Sequence, residues 1–132
     1  MELHLEVIGI ILILLALIHI IFPKYFNWKE DLGSLSLINR EVMYVHTFFI
    51  AVTVFLMGVL CFTSAPDLIK TSLGNKIMLG FGIFWISRLF IQIFGYSSSL
   101  WKGKPFETIV HIVFCLLWIY LSSVFFWIYC NN

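Results

Sequence analysis

The feature that most constrains this chain is a set of four apolar stretches, each close to the roughly 20 residues that cross the hydrocarbon core of a bilayer. The predicted spans are residues 5–22, 41–62, 75–94 and 106–129. The composition agrees, because 61% of the residues are hydrophobic and only 11% are charged, unlike a soluble domain. The sequence therefore predicts an all-α integral membrane protein, a single domain of four transmembrane helices in an up-and-down bundle.

Residues that start or stop helices border these spans. Pro23 is expected to end the first helix, and Asn39 is expected to cap the start of the second. Gly95 is expected to follow the third helix directly. Pro105 is expected to open the fourth helix, where its missing N–H costs nothing.

Lysine and arginine residues in the loops predict the orientation, because short cytoplasmic loops carry an excess of them. The first and third loops hold five and the opposite side holds two. The five in the first and third loops are Lys24, Lys29, Arg40, Lys102 and Lys104, and the two on the opposite side are Lys70 and Lys76. We therefore expect the first and third loops in the cytoplasm and both termini outside, in a membrane of the bacterial inner (plasma) membrane type.

Three of the four histidines, His19, His46 and His111, fall inside predicted spans. At 1.5 Å of rise per residue, all three lie about 6 to 11 Å from the helix ends on the side of the first and third loops. An ionisable side chain in hydrocarbon is costly unless it is paired or coordinated. The shared depth therefore predicts a functional layer near the cytoplasmic leaflet.

Further polar side chains are predicted in the same layer. Arg88 and Gln92 are four residues apart and share one face of the third helix. Glu107 and His111 are also four residues apart, so we expect Glu107 to act as a proton shuttle or to hold the second nitrogen of His111. Arg88 is the expected contact for an anion. The residues expected to surround the ligands are Gln92, Glu41, Tyr44 and Asn39.

The first interpretation of this layer is a metal site. Neutral imidazoles of His19, His46 and His111 would bind zinc, iron or copper and leave one position open, and the side chains do not choose among these metals. An enzyme built this way would activate water or oxygen on a lipid-soluble small molecule. The same site in a non-catalytic protein would sense a metal or transfer electrons. The residues therefore leave open whether this protein is an enzyme.

The second interpretation is a b-type haem with His46 and His111 as its axial ligands. The second and fourth helices run parallel and are diagonal in a simple four-helix square, so the two imidazoles would face each other at matching depth. Arg88 or Arg40 would then pair with a propionate. His19 has no role in this arrangement, which counts against it.

The third interpretation is a structural layer, in which His, Gln and Arg side chains hydrogen-bond between helices. The protein would then form a homo-oligomer, or serve as a non-catalytic accessory subunit of a larger membrane complex, with membrane lipids around it. A net charge of +1 provides no basic surface, so nucleic acid is excluded as a partner.

Overall fold

The computed structural model describes residues 1–131, which fold into helices with no strand among them. In chain order these are α1 (Glu2–Tyr25), α2 (Trp28–Asp31), α3 (Leu37–Thr63), α4 (Ala65–Lys70), α5 (Ser72–Phe94) and α6 (Pro105–Cys130), with a 3₁₀ turn at Ser98–Leu100 before α6. The helices α1, α3, α5 and α6 are long and apolar enough to cross a membrane. The protein is therefore an all-α membrane protein with four spans, which confirms the predicted fold class.

The end of α1 differs from the prediction. The helix continues past Pro23 to Tyr25, so the prediction that Pro23 ends it is wrong. Proline removes one N–H, but the N–H of Phe26 still donates to the carbonyl of Phe22 at 2.9 Å, which continues the helical pattern. The chain leaves the helix at Asn27, whose φ of 53° is left-handed. Asparagine adopts that conformation more readily than most residues.

The start of α3 also differs from the prediction. Ser36 is the N-cap, and its hydroxyl accepts a hydrogen bond from the backbone N–H of Asn39 at 3.4 Å. Asn39 therefore lies in the first turn of the helix, and the prediction that it caps the helix is wrong. Gly95 follows α5 directly and Pro105 is the first residue of α6, so both of these predictions are confirmed.

The described chain divides into two compact units. One unit is Leu3–Ala65, and the other joins Met1–Glu2 to the part that begins at Pro66. The contacts within the first unit join α1 and α3, and those within the second join α5 and α6. Consecutive spans are thus neighbours in both units, as an up-and-down order requires. The single transmembrane domain stays a prediction.

The helices α5 and α6 run antiparallel and pack through aromatic side chains. Phe81 contacts Phe125 edge to face, with 5.5 Å between ring centroids. Nearer the end of α5, Trp85 stacks on Trp118 at 5.0 Å, with 18° between the ring planes. This packing directs the last third of α5, which contains Gln92, against the first half of α6.

The helices α1 and α3 pack closely through two glycines. A Cβ atom added to Gly9 would lie 2.7 Å from the carbonyl oxygen of Gly58, and one added to Gly58 would lie 2.8 Å from the carbonyl oxygen of Gly9. Real Cβ atoms do not approach so closely, so a side chain at either position forces the helices apart. Small residues permit such close packing in membranes, where van der Waals contact drives helix association.

We expect Gly9→Ala to lower the free energy of unfolding by about 1 to 3 kcal/mol, because the added methyl group overpacks the contact with α3. Unfolding in a titration with sodium dodecyl sulfate measures the change. Gly80→Ala is the matched control, since a Cβ atom there meets nothing within 4 Å and alanine favours a helix. Equal stability of the two variants would show that the glycine contact does not hold α1 and α3 together.

Candidate functional site

The three histidines of the predicted layer have different surroundings. His19 on α1 is half-buried, and its Nδ1 lies 2.8 Å from the carbonyl oxygen of Leu15. That nitrogen must carry a hydrogen, because a carbonyl only accepts, and in a neutral imidazole Nε2 then keeps its lone pair. His46 on α3 is exposed, and His111 on α6 is half-buried. Residues 1–131 contain no group of three or more His, Cys, Asp or Glu side chains that could hold a metal ion.

Four other residues of the predicted layer are exposed: the proton-shuttle candidate Glu107, and Asn39, Glu41 and Tyr44, which were expected to surround the ligands. Asn39, Glu41 and Glu107 are exposed, and none of their side chains forms a hydrogen bond or ion pair within the described residues. Tyr44 packs its ring edge to face against Trp28, at 5.4 Å between centroids. The roles predicted for these four residues stay predictions.

Gln92 connects α5 to α6 through both ends of its side-chain amide. Its side chain is buried, and its Oε1 accepts a hydrogen bond from Nε1 of Trp118 at 3.4 Å. The indole N–H can only donate, and this fixes which end of the amide faces Trp118. The amide nitrogen therefore faces His111 and donates to its Nδ1 at 2.9 Å.

The same chain of hydrogen bonds assigns the hydrogen on the His111 ring. Because Nδ1 accepts from Gln92, a neutral imidazole carries its hydrogen on Nε2. That atom lies 3.6 Å from Sγ of Cys115, one turn further along α6. Both ring nitrogens of His111 are thus engaged, so a metal or haem iron would bind there only if the Gln92 amide turned away.

Trp101, in the loop before α6, packs against one face of the His111 ring. The ring of Trp101 stacks on that of His111 with 3.9 Å between centroids and 10° between planes. Trp101 is held in turn by Thr108, whose hydroxyl donates to the Trp101 carbonyl at 2.6 Å. The loop before α6 and the first turn of α6 therefore position His111 together.

Arg88 lies one turn before Gln92 and faces the same aromatic cluster. Its Nη2 donates to the hydroxyl of Tyr96 at 3.4 Å, and its Cζ lies 5.3 Å from the Trp118 ring and 5.6 Å from the Tyr96 ring. Neither partner carries a negative charge, and no carboxylate within residues 1–131 forms an ion pair with this guanidinium. Its Nη1 is buried and has no hydrogen-bond acceptor there.

An apolar groove adjoins this part of α5. It has a volume of about 380 Å³ and is lined by Ile86, Ser87, Phe90 and Ile91. All four lining residues belong to α5 and are exposed, so the groove is an open depression on the surface of this helix. Ile91 is three residues after Arg88, so the groove and the guanidinium lie side by side on the helix surface.

The structure brings three of the predicted layer residues, Arg88, Gln92 and His111, into one cluster, and adds residues that the sequence did not single out for it. These are Trp85, Tyr96, Trp101, Cys115 and Trp118. Their spacing carried a signal, because Trp85, Arg88 and Gln92 follow one face of α5 while His111, Cys115 and Trp118 follow one face of α6. Tryptophan packs and anchors so often in membrane helices that spacing alone did not separate these uses.

Comparison with models of protein families, with curated proteins and with solved structures finds no match to this chain. The chemistry of the α5–α6 cluster is therefore the basis for the function proposed below.

We expect Gln92→Leu to lower the free energy of unfolding by about 1 to 2 kcal/mol, because Trp118 and His111 each lose a hydrogen-bond partner. His111→Phe removes the other end of the bond and keeps a ring that can stack on Trp101. A double-mutant cycle in detergent is expected to give a coupling energy of about 0.5 to 1.7 kcal/mol. Strictly additive effects would contradict the bond between Gln92 and His111.

Proposed function

We propose that this protein is a membrane-embedded binding protein for an anionic, lipid-soluble ligand, with Arg88 as the anion contact. One observation carries the proposal: the Arg88 guanidinium lies inside a membrane-spanning helix without a carboxylate partner and has a buried Nη1 without an acceptor. A charge in a span faces a high desolvation cost, and such residues usually pair with an opposite charge. An anionic ligand would supply that charge.

The surroundings of Arg88 suit a ligand-binding arginine. Contacts with Trp118 and Tyr96 hold the guanidinium through cation–π attraction but do not neutralise it. Guanidinium groups bind carboxylate and phosphate through parallel N–H donors, so one such anion would satisfy both the charge and the unpaired donor. The apolar groove lined by Ile86, Ser87, Phe90 and Ile91 supports a ligand that also has an apolar part.

We further propose that this ligand is held on the cytoplasmic side of a bacterial inner membrane. Arg88 lies six residues before Phe94, the last residue of α5, where the chain enters the third loop. That loop contains Lys102 and Lys104, and the excess of Lys and Arg in the first and third loops supports a cytoplasmic location for both. The termini would then be outside.

We expect Arg88→Gln to weaken binding of anionic amphiphiles about 10- to 100-fold, because it removes a charge-assisted hydrogen bond. The probes are palmitate and hexadecyl phosphate, with hexadecanol as the uncharged comparison, titrated into full-length protein in phosphatidylcholine nanodiscs. Arg40→Gln is the matched control, since it removes the other arginine of the sequence. Equal affinity of the parent and Arg88→Gln for both anions would contradict the proposal.

A second candidate function is metal binding by His19, His46 and His111, as the sequence predicts. One observation favours it: His19 donates from Nδ1 to a backbone carbonyl and keeps the Nε2 lone pair, as metal-ligating histidines commonly do. The haem alternative, the accessory-subunit alternative and the proton shuttle at Glu107 stay predictions from the sequence.

If the metal site exists, protein purified without a His-tag or chelator is expected to contain about one equivalent of zinc, iron or copper. Elemental analysis measures the content, and His46→Ala or His111→Ala is expected to abolish it, whereas the control His4→Ala keeps it. A Soret band in the optical spectrum would instead support haem on His46 and His111. Folded protein with neither metal nor haem would contradict both alternatives.

A further inference from the structure

Two buried N–H donors lie one turn apart on α5 without an acceptor among residues 1–131. One is Nη1 of Arg88, and the other is Nε1 of Trp85, whose side chain is only 2% exposed. Both side chains contact Trp118, since the Trp85 ring stacks on it at 5.0 Å and Cζ of Arg88 lies 5.3 Å from it. An indole N–H can only donate, and buried donors are nearly always paired. Each donor therefore needs an acceptor that residues 1–131 do not supply.

We propose that the ligand of this site is a long-chain carboxylate, whose two oxygens accept hydrogen bonds from Arg88 and Trp85. The proposal rests on the proposed function, because it names the ligand of the same site. Two donors and one positive charge match the two oxygens and single negative charge of a carboxylate. A phosphate monoester carries about −1.5 to −2 charges and three acceptor oxygens. At this site it would leave charge and an oxygen unpaired in hydrocarbon, which is costly.

The position of the donors along α5 also favours a single-chain carboxylate over a phospholipid. Arg88 and Trp85 lie six and nine residues before Phe94, or about 9 and 14 Å along the helix. A helix of 23 residues is about 34 Å long, so Trp85 lies close to its middle. Phospholipid phosphates lie in the headgroup region outside the hydrocarbon core. A carboxylate on a single chain is free to enter deeper.

The alkyl chain of this ligand lies in the apolar groove beside Arg88. Ile91 adjoins Arg88 on the helix surface, and Phe90 extends the apolar wall away from the donors. Arg88 is half-buried and both nitrogens are covered, so the carboxylate binds them only when the Arg88 side chain turns toward the groove. Head and tail are then bound by adjoining faces of one helix.

The experiment measures equilibrium binding of radiolabelled palmitate to full-length protein in phosphatidylcholine nanodiscs, with unlabelled hexadecyl phosphate and hexadecanol as competitors. We expect palmitate to bind about tenfold more tightly than hexadecyl phosphate, because the phosphate keeps excess charge and an unpaired oxygen at this site. Trp85→Phe is expected to weaken palmitate binding about 2- to 10-fold, because the carboxylate loses one of its two donors.

Two controls separate the hydrogen bond from packing. Incorporation of 3-benzothienylalanine at position 85 keeps the shape of the indole without its N–H, so it should weaken palmitate binding as much as Trp85→Phe does. Trp127→Phe, at an exposed tryptophan on α6, should change nothing. The test uses only variants whose thermal stability matches the parent.

Each outcome decides between the two proposals. Binding that depends on Arg88 but favours hexadecyl phosphate, or that ignores both changes at position 85, would overturn the carboxylate assignment and keep the anion site. If Arg88→Gln binds palmitate and hexadecyl phosphate as tightly as the parent does, the proposed function is overturned, and this inference with it. Palmitate preference together with sensitivity to the missing indole N–H supports the carboxylate.

Discussion

A polar side chain inside a membrane-spanning helix has no bulk water to bond with, so it needs a partner from the protein or from a ligand. In α5 and α6 this requirement is met at Gln92, whose amide accepts from Trp118 and donates to His111. The indole can only donate, so it orients the amide, and the amide in turn determines the tautomer of the imidazole. Stacking on Trp101 then holds the ring plane. One buried amide thus links the two helices and orients the side chains between them.

The same requirement separates the polar cluster into a satisfied part and an unsatisfied part. Gln92 and His111 have their hydrogen bonds within the protein, and they stabilise the α5–α6 pair. Arg88 keeps an unneutralised charge, and its Nη1 and the Nε1 of Trp85 have no acceptor in residues 1–131. Because an unpaired buried donor costs stability, the unsatisfied part is where a ligand gains most by binding.

The two units reach close helix packing by different means. In α1 and α3 the absence of side chains at Gly9 and Gly58 lets the backbones come into direct van der Waals contact. In α5 and α6 stacked and edge-to-face rings, such as those of Trp85 and Trp118, fill the space between the helices. An aromatic interface also provides ring faces that a guanidinium can contact, as Arg88 contacts the ring of Trp118.

The sequence by itself determined the four spans and the shared face of Arg88 and Gln92, because hydropathy and the helical period are properties of neighbouring residues. It misplaced the end of α1 by two residues and the N-cap of α3 by three, because single hydrogen bonds decide between nearby positions. Only the tertiary structure decided the rotation of the helices. The partners of Gln92 come from positions 19 and 26 residues away along the chain. That Arg88 and Trp85 lack hydrogen-bond acceptors is visible only from the positions of all neighbouring atoms. Side-chain packing sets that rotation, and no local pattern encodes it.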